Sequence, residues 1–367
     1  MTEQRRVIVA PDSFKGTFDA ARVARAMADG VRAAGAEPLE RPLADGGEGT
    51  VSVLGASLGG VVRSVEVRGP LGEPVSAPIL IAPDRSAPDR SAPDRTAPDR
   101  TADDDGARGP LLAVIETASA AGLSLVPPDR RDAEAASTYG VGELIVHAAR
   151  LLAEETGGQP GAAGPRILVG AGGSATTDGG VGAIRAIEDG GGLRGCRLVV
   201  LCDVTTPYED AAVVFGPQKG ADPAAVRRLT ARLRRQAAQL RRDPIGVPRT
   251  GCAGGLSGAL WANCAAELVS GIDAVIDAVG LAALLPGALA VLTGEGRLDG
   301  QSAQGKAVSG LARRCAGAGV PLHAIVGSTQ LSPADAAALG LASVREATDL
   351  GAVADAAREC VARLLAG

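Results

Sequence analysis

The sequence predicts an α/β protein layered around a mostly parallel sheet. Three observations carry that expectation. Short apolar, strand-like runs alternate with helical stretches of about 10–15 residues along most of the chain. Glycine-rich loops follow several of those runs. Residues are 46% hydrophobic but only 2% aromatic, so the core must be aliphatic. A length of 367 residues suggests two domains, at roughly 100–200 residues for each.

The first element, VIVA at 7–10, reads as a short buried strand closed by a Pro-Asp-Ser turn. A helix is expected over 18–34, with Asp19 near its start and Gly35 after its end. Strand-like runs follow at 61–67, 111–115, 167–169, 198–201, 290–293 and 322–326. Helical stretches lie among them at 141–155, 224–242, 305–316 and 352–365. In the arginine-rich one, Val226, Leu229, Leu233, Ala237 and Leu240 form one apolar stripe, which predicts a docked surface helix and not a nucleic-acid contact. Residues 82–109 stand apart. APDR recurs there four times at a period of five, before an acidic TADDDGARG. Proline at that spacing prevents a helix and almost nothing apolar is available to bury, so a disordered surface insertion is expected.

Composition narrows the function. With 37 Lys+Arg against 42 Asp+Glu the net charge is −5, which argues against nucleic acid or an anionic membrane as partner. MTEQRR leads straight into the first strand, and the most apolar later stretch, 274–293, contains Asp277 and Pro286; neither a signal segment nor a membrane span is expected. Six cysteines without a CxxC pair and two histidines make zinc, haem and a disulfide framework poor readings, and a reducing, cytoplasmic setting fits. His147 and His323 lie in a helical and an apolar run and are expected to be packed, like the cysteines.

The basic residues are uneven: only three are lysine, and all three touch a glycine, as SFKG (Lys15), PQKG (Lys219) and QGKA (Lys306). A compact ammonium beside glycine backbone suits phosphate oxygens. Five glycine-rich loops point the same way: APDSFKG (10–16), ADGGEGT (44–50), GAGGSATTDGG (170–180), FGPQKG (215–220) and TGEGRLDGQSAQGKA (293–307). Glycine lets backbone amides approach an anion, and carboxylates in the same loops can hold Mg²⁺ or take a proton from a substrate hydroxyl. Anion cradle, carboxylates and cations are the parts that phosphoryl transfer needs. Two near-matches are weaker. GAGGSA fits a dinucleotide fingerprint but is followed by TTDGG, and GQSAQGKA resembles a P-loop with Ala307 where Ser or Thr belongs.

Taken in order, these loops resemble the bacterial type I glycerate kinases. The matching segments are 10–16, 44–50, 137–145, 170–180, 202–204, 215–221, 252–258 and 293–306, covering nearly the whole chain. The sequence departs from the family pattern at Thr177 (usually Asn), Val141 (usually Thr) and Cys252 (commonly Ala), and the stretch between Gly180 and Asp203 is short. The resemblance implies an ATP- and Mg²⁺-dependent kinase acting on D-glycerate. It also implies a Rossmann-like parallel-sheet domain formed by both chain ends, 1–75 and 285–367, with a second α/β domain, 76–284, inserted between them.

On that reading Lys15, Lys219 and Lys306 are candidates to neutralise phosphate or carboxylate, and Arg297 to clamp the glycerate carboxylate. Asp45, Asp178 and Asp203 are candidates for Mg²⁺ ligation or for the base that accepts the hydroxyl proton. Ser13, Gly46, Gly47, Ser174, Thr176, Glu295 and Asp299 are expected to contact substrate or nucleotide. Three alternatives stay open: a kinase for another small hydroxy acid, an NAD(P)-binding oxidoreductase using GAGGSA, and an inactive binding module.

Overall fold

The computed structural model describes residues 5–14, 16–84, 110–157, 164–299 and 307–366. Among them the strands are β1 (Arg6–Val9), β2 (Glu37–Glu40), β3 (Val61–Arg68), β4 (Pro74–Pro83), β5 (Leu111–Glu116), β6 (Arg166–Gly170) and β7 (Arg197–Cys202). The series continues with β8 (Glu267–Ser270), β9 (Ala288–Thr293), β10 (Arg297–Leu298), β11 (Leu322–Val326), β12 (Ser328–Thr329) and β13 (Leu341–Glu346). They form two large sheets. The first, ordered β13-β11-β9-β1-β2, is parallel throughout. The second, ordered β3-β4-β5-β6-β7-β8, begins with two antiparallel pairings and is parallel from β5 onward. The two-residue strands β10 and β12 pair separately.

The α/β class is as the alternation predicts. The chain leaves the first sheet after β2 and returns to it at β9, so β3 hydrogen-bonds within the second sheet although it lies before residue 75. Helix Ala20–Ala33 starts where expected because Asp19 accepts from the Arg22 amide at 2.8 Å. Its Gly30 is required by a neighbour: a Cβ there would stand 2.1 Å from the Ala354 carbonyl of helix Leu350–Ala366. The arginine-rich helix runs Pro223–Ala237, capped by Asp222, and packs Leu229, Leu233 and Ala237 against Tyr208, Ala211 and Ala212. Its charged residues lie outside that stripe, as expected of a docked helix.

One aliphatic cluster joins the two sheets, running from Ile8, Leu43 and Leu54 to Leu80, Val114 and Leu201 and on to Ile272, Val291 and Leu311. Each such side chain contributes about 1.5–3 kcal/mol by leaving water. This shared burial packs the two sheets around one core. No described helix is long and apolar enough to cross a membrane. His323 is packed, its Nδ1 2.8 Å from Ser343 Oγ, and burial lowers its basicity; His147 is half-buried with the same shift.

The expected insertion begins later than residue 82. Ala82 and Pro83 complete β4, and Asp84, 6% exposed, holds Arg166 through two 2.6 Å hydrogen bonds. Residues 85–109 lie outside the described residues. The Asp84 amide donates to the Pro110 carbonyl at 2.7 Å, so the chain departs and returns at adjacent points of one antiparallel pair. Replacing 85–109 with Asn-Gly, the turn that such a pair accepts most readily, is expected to preserve solubility and turnover. An insoluble or inactive product would show that the replaced segment supports the body of the protein.

Candidate active site

In the first sheet β1 lies between β2 and β9. The chain proceeds from β1 to one side and from β9 to the other, so the loops beyond their C-terminal ends diverge and leave a crevice. A cavity of about 500 Å³ opens there. Asp12, Ser13, Phe14 and Thr17 line it from the loop after β1, Asp45 from the loop after β2, and Glu295, Gly296, Arg297 and Asp299 from the loop after β9. Gly327, Ser328 and Thr348 complete it from beyond β11 and β13.

Cross-bracing sets these loops. The Asp12 amide donates to the Gly294 carbonyl at 2.8 Å, and Thr293 Oγ1 donates to the Ala10 carbonyl at 2.9 Å. Gly327 and Ser328 donate to the carbonyls of Glu295 and Gly296, both at 3.1 Å. Three carboxylates are held inside: Asp12 (8% exposed), Asp45 (5%) and Glu295 (8%). Asp12 Oδ1 accepts from the Ser13 amide at 2.6 Å, and Asp45 Oδ1 from the Gly47 amide at 2.9 Å. Arg297 stands at the rim, with Nε 3.6 Å from Asp299 Oδ2 and most of its side chain in solvent.

The ADGGEGT loop ties this cavity to the second sheet. Gly46 takes a φ of +94°, and a Cβ on it would stand 2.8 Å from Leu201 Cβ at the end of β7. The backbones of Gly47 and Gly172 press together, since a Cβ on Gly172 would lie 2.6 Å from Gly47 Cα. Helix Thr50–Leu58, which follows, has Gly49 at its N-cap and therefore no side-chain acceptor of its own. Glu116, at the end of β5, supplies one: Oε1 accepts from the Val51 amide at 2.7 Å. Burial raises the pKa of that carboxyl, and its bonds from amides act against the shift. Glu116 escaped the sequence reading, although a glycine N-cap is itself a sign that an acceptor must come from elsewhere.

The loop after β6 is built differently from the expectation. Asp178 is occupied in the fold: Oδ2 accepts from the amide and hydroxyl of Thr138, both at 2.8 Å, and from the Gly182 amide at 3.3 Å, while Oδ1 accepts from Gly180 at 3.0 Å. It fastens the start of helix Val181–Asp189 to residue 138, and it does not line that cavity. That helix begins eleven positions beyond the end of β6, so GAGGSA does not run into a helix N-terminus as a dinucleotide fingerprint requires.

Lys219 is also internal, at 3% exposure, and donates to the Thr176 carbonyl at 2.6 Å and to Ser174 Oγ at 3.0 Å. It is no surface cation awaiting a phosphate. Burial pushes it down to about 8, against the pull of Asp178 and Cys252. The next three carbonyls of the loop are held from the same region of the chain. Arg232 donates to Thr177 O at 2.7 Å, Gln236 to Asp178 O at 3.1 Å and the Tyr208 hydroxyl to Gly179 O at 2.9 Å.

The structure thus gathers Ser13, Asp45, Glu295, Arg297 and Asp299 at one cavity, with Gly46 and Gly47 carrying the Asp45 loop onto the second sheet. Ser174, Thr176, Asp178 and Lys219 form a separate braced loop, and Asp203 follows β7 without lining the cavity. Lys15 and Lys306 lie outside the described residues. Asp12 and Phe14 were within reach of the sequence, since both belong to the quoted APDSFKG loop. Ser328 and Thr348 carry no motif, and only their position after parallel strands marks them.

Comparison with known proteins places the chain in a family. The model of the glycerate kinase family matches residues 7–189 and 191–366. A glycerate kinase from Halalkalibacterium halodurans is 35% identical, over 88% of this chain and 85% of its own. Glycerate 2-kinase from Escherichia coli K12 is likewise 35% identical over 88% and 85%. A crystal structure from Salmonella typhimurium LT2, assigned to glycerate kinase 2, superposes with a TM-score of 0.76 at 34% identity, covering 99% of this chain and 98% of that one. With matches of this extent in sequence and in fold, the chain belongs to the glycerate kinase family.

Proposed function

We propose that the chain transfers the γ-phosphoryl group of ATP to a hydroxyl of D-glycerate in the cavity at the switch point of the first sheet. The observation that carries the reading is the set of three buried carboxylates, Asp12, Asp45 and Glu295, closed in with the rim guanidinium of Arg297. Asp45 is the base in this proposal: it takes the hydroxyl proton as the oxygen attacks phosphorus and ADP leaves. Arg297 binds the glycerate carboxylate, for which its planar fork is suited. Ser13 and Ser328 donate hydrogen bonds to phosphate oxygens.

The donor set fits Mg²⁺. Among the described residues no three His, Cys, Asp or Glu side chains converge as a ready-made metal cage. Mg²⁺ is commonly held by one or two carboxylates together with substrate phosphates, and Asp12 and Glu295 are the residues that would hold it. When bound it neutralises charge on the phosphate oxygens. The described cysteines are all free thiols, which supports a reducing, cytoplasmic location.

The name of the Escherichia coli relative favours O2 of glycerate as the acceptor. Incubation with ATP, Mg²⁺ and D-glycerate, followed by phosphorus NMR, is expected to show 2-phosphoglycerate and ADP in equal amounts. A 3-phosphoglycerate product would overturn the position, and turnover of another hydroxy acid alone would overturn the acceptor.

A further inference from the structure

The stretch that carries Asp45 into helix Thr50–Leu58 has little of its own to hold it. Three of the four residues between Asp45 and Thr50 are glycine, and Gly46 and Gly49 take φ values of +94° and +95°. Glycine has no side chain to restrain its backbone, so the aim of the Asp45 carboxylate depends on the bonds made to the loop. Those bonds run in series. The Gly47 amide donates to Asp45 Oδ1 at 2.9 Å, and the Gly47 carbonyl accepts from Thr50 Oγ1 at 2.7 Å. Thr50 is fully buried and stands between Gly49 and Val51. Glu116 holds both of these neighbours: it accepts from the Val51 amide at 2.7 Å, and the Gly49 amide bonds to the same carboxylate. Glu116 is itself fixed, buried at the end of β5 opposite Gly170 of β6 in the parallel register.

We propose that Glu116 is a positioning residue: its buried carboxylate fixes the Gly49 and Val51 amides, and through Thr50 and Gly47 it aims the Asp45 carboxylate at the substrate hydroxyl. This rests on the reading of Asp45 as the base for its catalytic meaning, though not for the geometry of the loop. Glu116 does not line the cavity, so it acts only through the loop. A carboxylate suits that post, because both of its oxygens accept and neither donates. A glutamine has one acceptor and an NH₂ group, which would meet one of the two amides donor to donor. The loop would lose one of its two fixings while the helix kept the other. The loss then falls on aim, and a displacement of about 1 Å at a reacting group can cost on the order of 100-fold in rate.

Glu116→Gln is expected to lower kcat about tenfold and to leave KM for D-glycerate and for ATP within about twofold. Should that variant fail to fold, Glu116→Asp, which keeps the charge on a shorter stem, takes its place. A double-mutant cycle with Asp45→Asn separates aim from general loosening. With no base left to aim, adding Glu116→Gln to Asp45→Asn should change kcat by less than about twofold. Effects that multiply would overturn the proposal, since a merely structural role acts equally in both backgrounds. Hydrogen exchange followed by NMR reads the loop without any turnover. The Gly47 amide should exchange about tenfold faster in Glu116→Gln than in the wild type, while the Asp12 amide, bonded to the Gly294 carbonyl, keeps its rate. An unchanged rate at Gly47, or equal acceleration at both amides, would overturn the proposal whether or not the protein phosphorylates glycerate. No wild-type turnover of D-glycerate, with the exchange results as expected, would refute the kinase reading alone and leave Glu116 as the residue that sets the loop.

Discussion

Asp45→Asn is expected to lower kcat by about 10²–10⁴-fold in a protein that remains folded. Asparagine keeps the size of the side chain and can still accept from the Gly47 amide, the 2.9 Å bond that Asp45 Oδ1 makes. What it loses is the ability to take a proton from the substrate hydroxyl. The loop should therefore close as before, with Gly46 still seated on Leu201 and Gly47 on Gly172. Kinetics and melting temperature measured on the same preparation separate the outcomes. A folded Asp45→Asn enzyme with wild-type kcat would remove Asp45 from the chemistry and leave it a loop residue.

Asp178→Ala should show the opposite signature. Four donors lose their acceptor at once: the amide and hydroxyl of Thr138 and the amides of Gly180 and Gly182. Losing a helix-start acceptor and stranding partly buried donors costs about 2–4 kcal/mol. Urea unfolding should register that loss, while turnover per folded molecule falls far less than in Asp45→Asn. Normal stability with abolished turnover would return Asp178 to the catalytic set.

These two aspartates show where sequence reading reaches its limit. Each precedes a Gly-Gly pair in a loop after a strand, and locally they are alike. They differ in what a distant part of the chain brings: Thr138 closes on Asp178, whereas the loops after β1 and β9 leave Asp45 on a cavity wall. Lys219 is the same case, since nothing in PQKG says that Ser174 and Thr176 will enclose it.

The fold was more legible, for a physical reason. β1, β5, β6, β7, β9 and β11 are mostly buried and read as predominantly apolar runs. β2, β8 and β13 are sheet edges, partly exposed, and EPLE, ELVS and LASVRE look like polar connections. β4 is central but carries Pro74, Pro78 and Pro83, which mask it. The glycine loops stood out in the sequence, but sorting them between cavity and brace required the strand order.

The return of the chain to its first sheet has a consequence for synthesis. Ala10 and Thr293, which share a hydrogen bond beside the cavity, are 283 residues apart. At roughly 5–20 residues per second, the ribosome needs tens of seconds after making β1 before β9 emerges to pair with it. The whole second sheet, ending at Ser270, is complete by then and can collapse first. During that interval the Asp45 loop can settle against Leu201, while Asp12 still has no Gly294 to lean on. Until β9 emerges, the cavity lacks the wall that Glu295, Gly296, Arg297 and Asp299 supply.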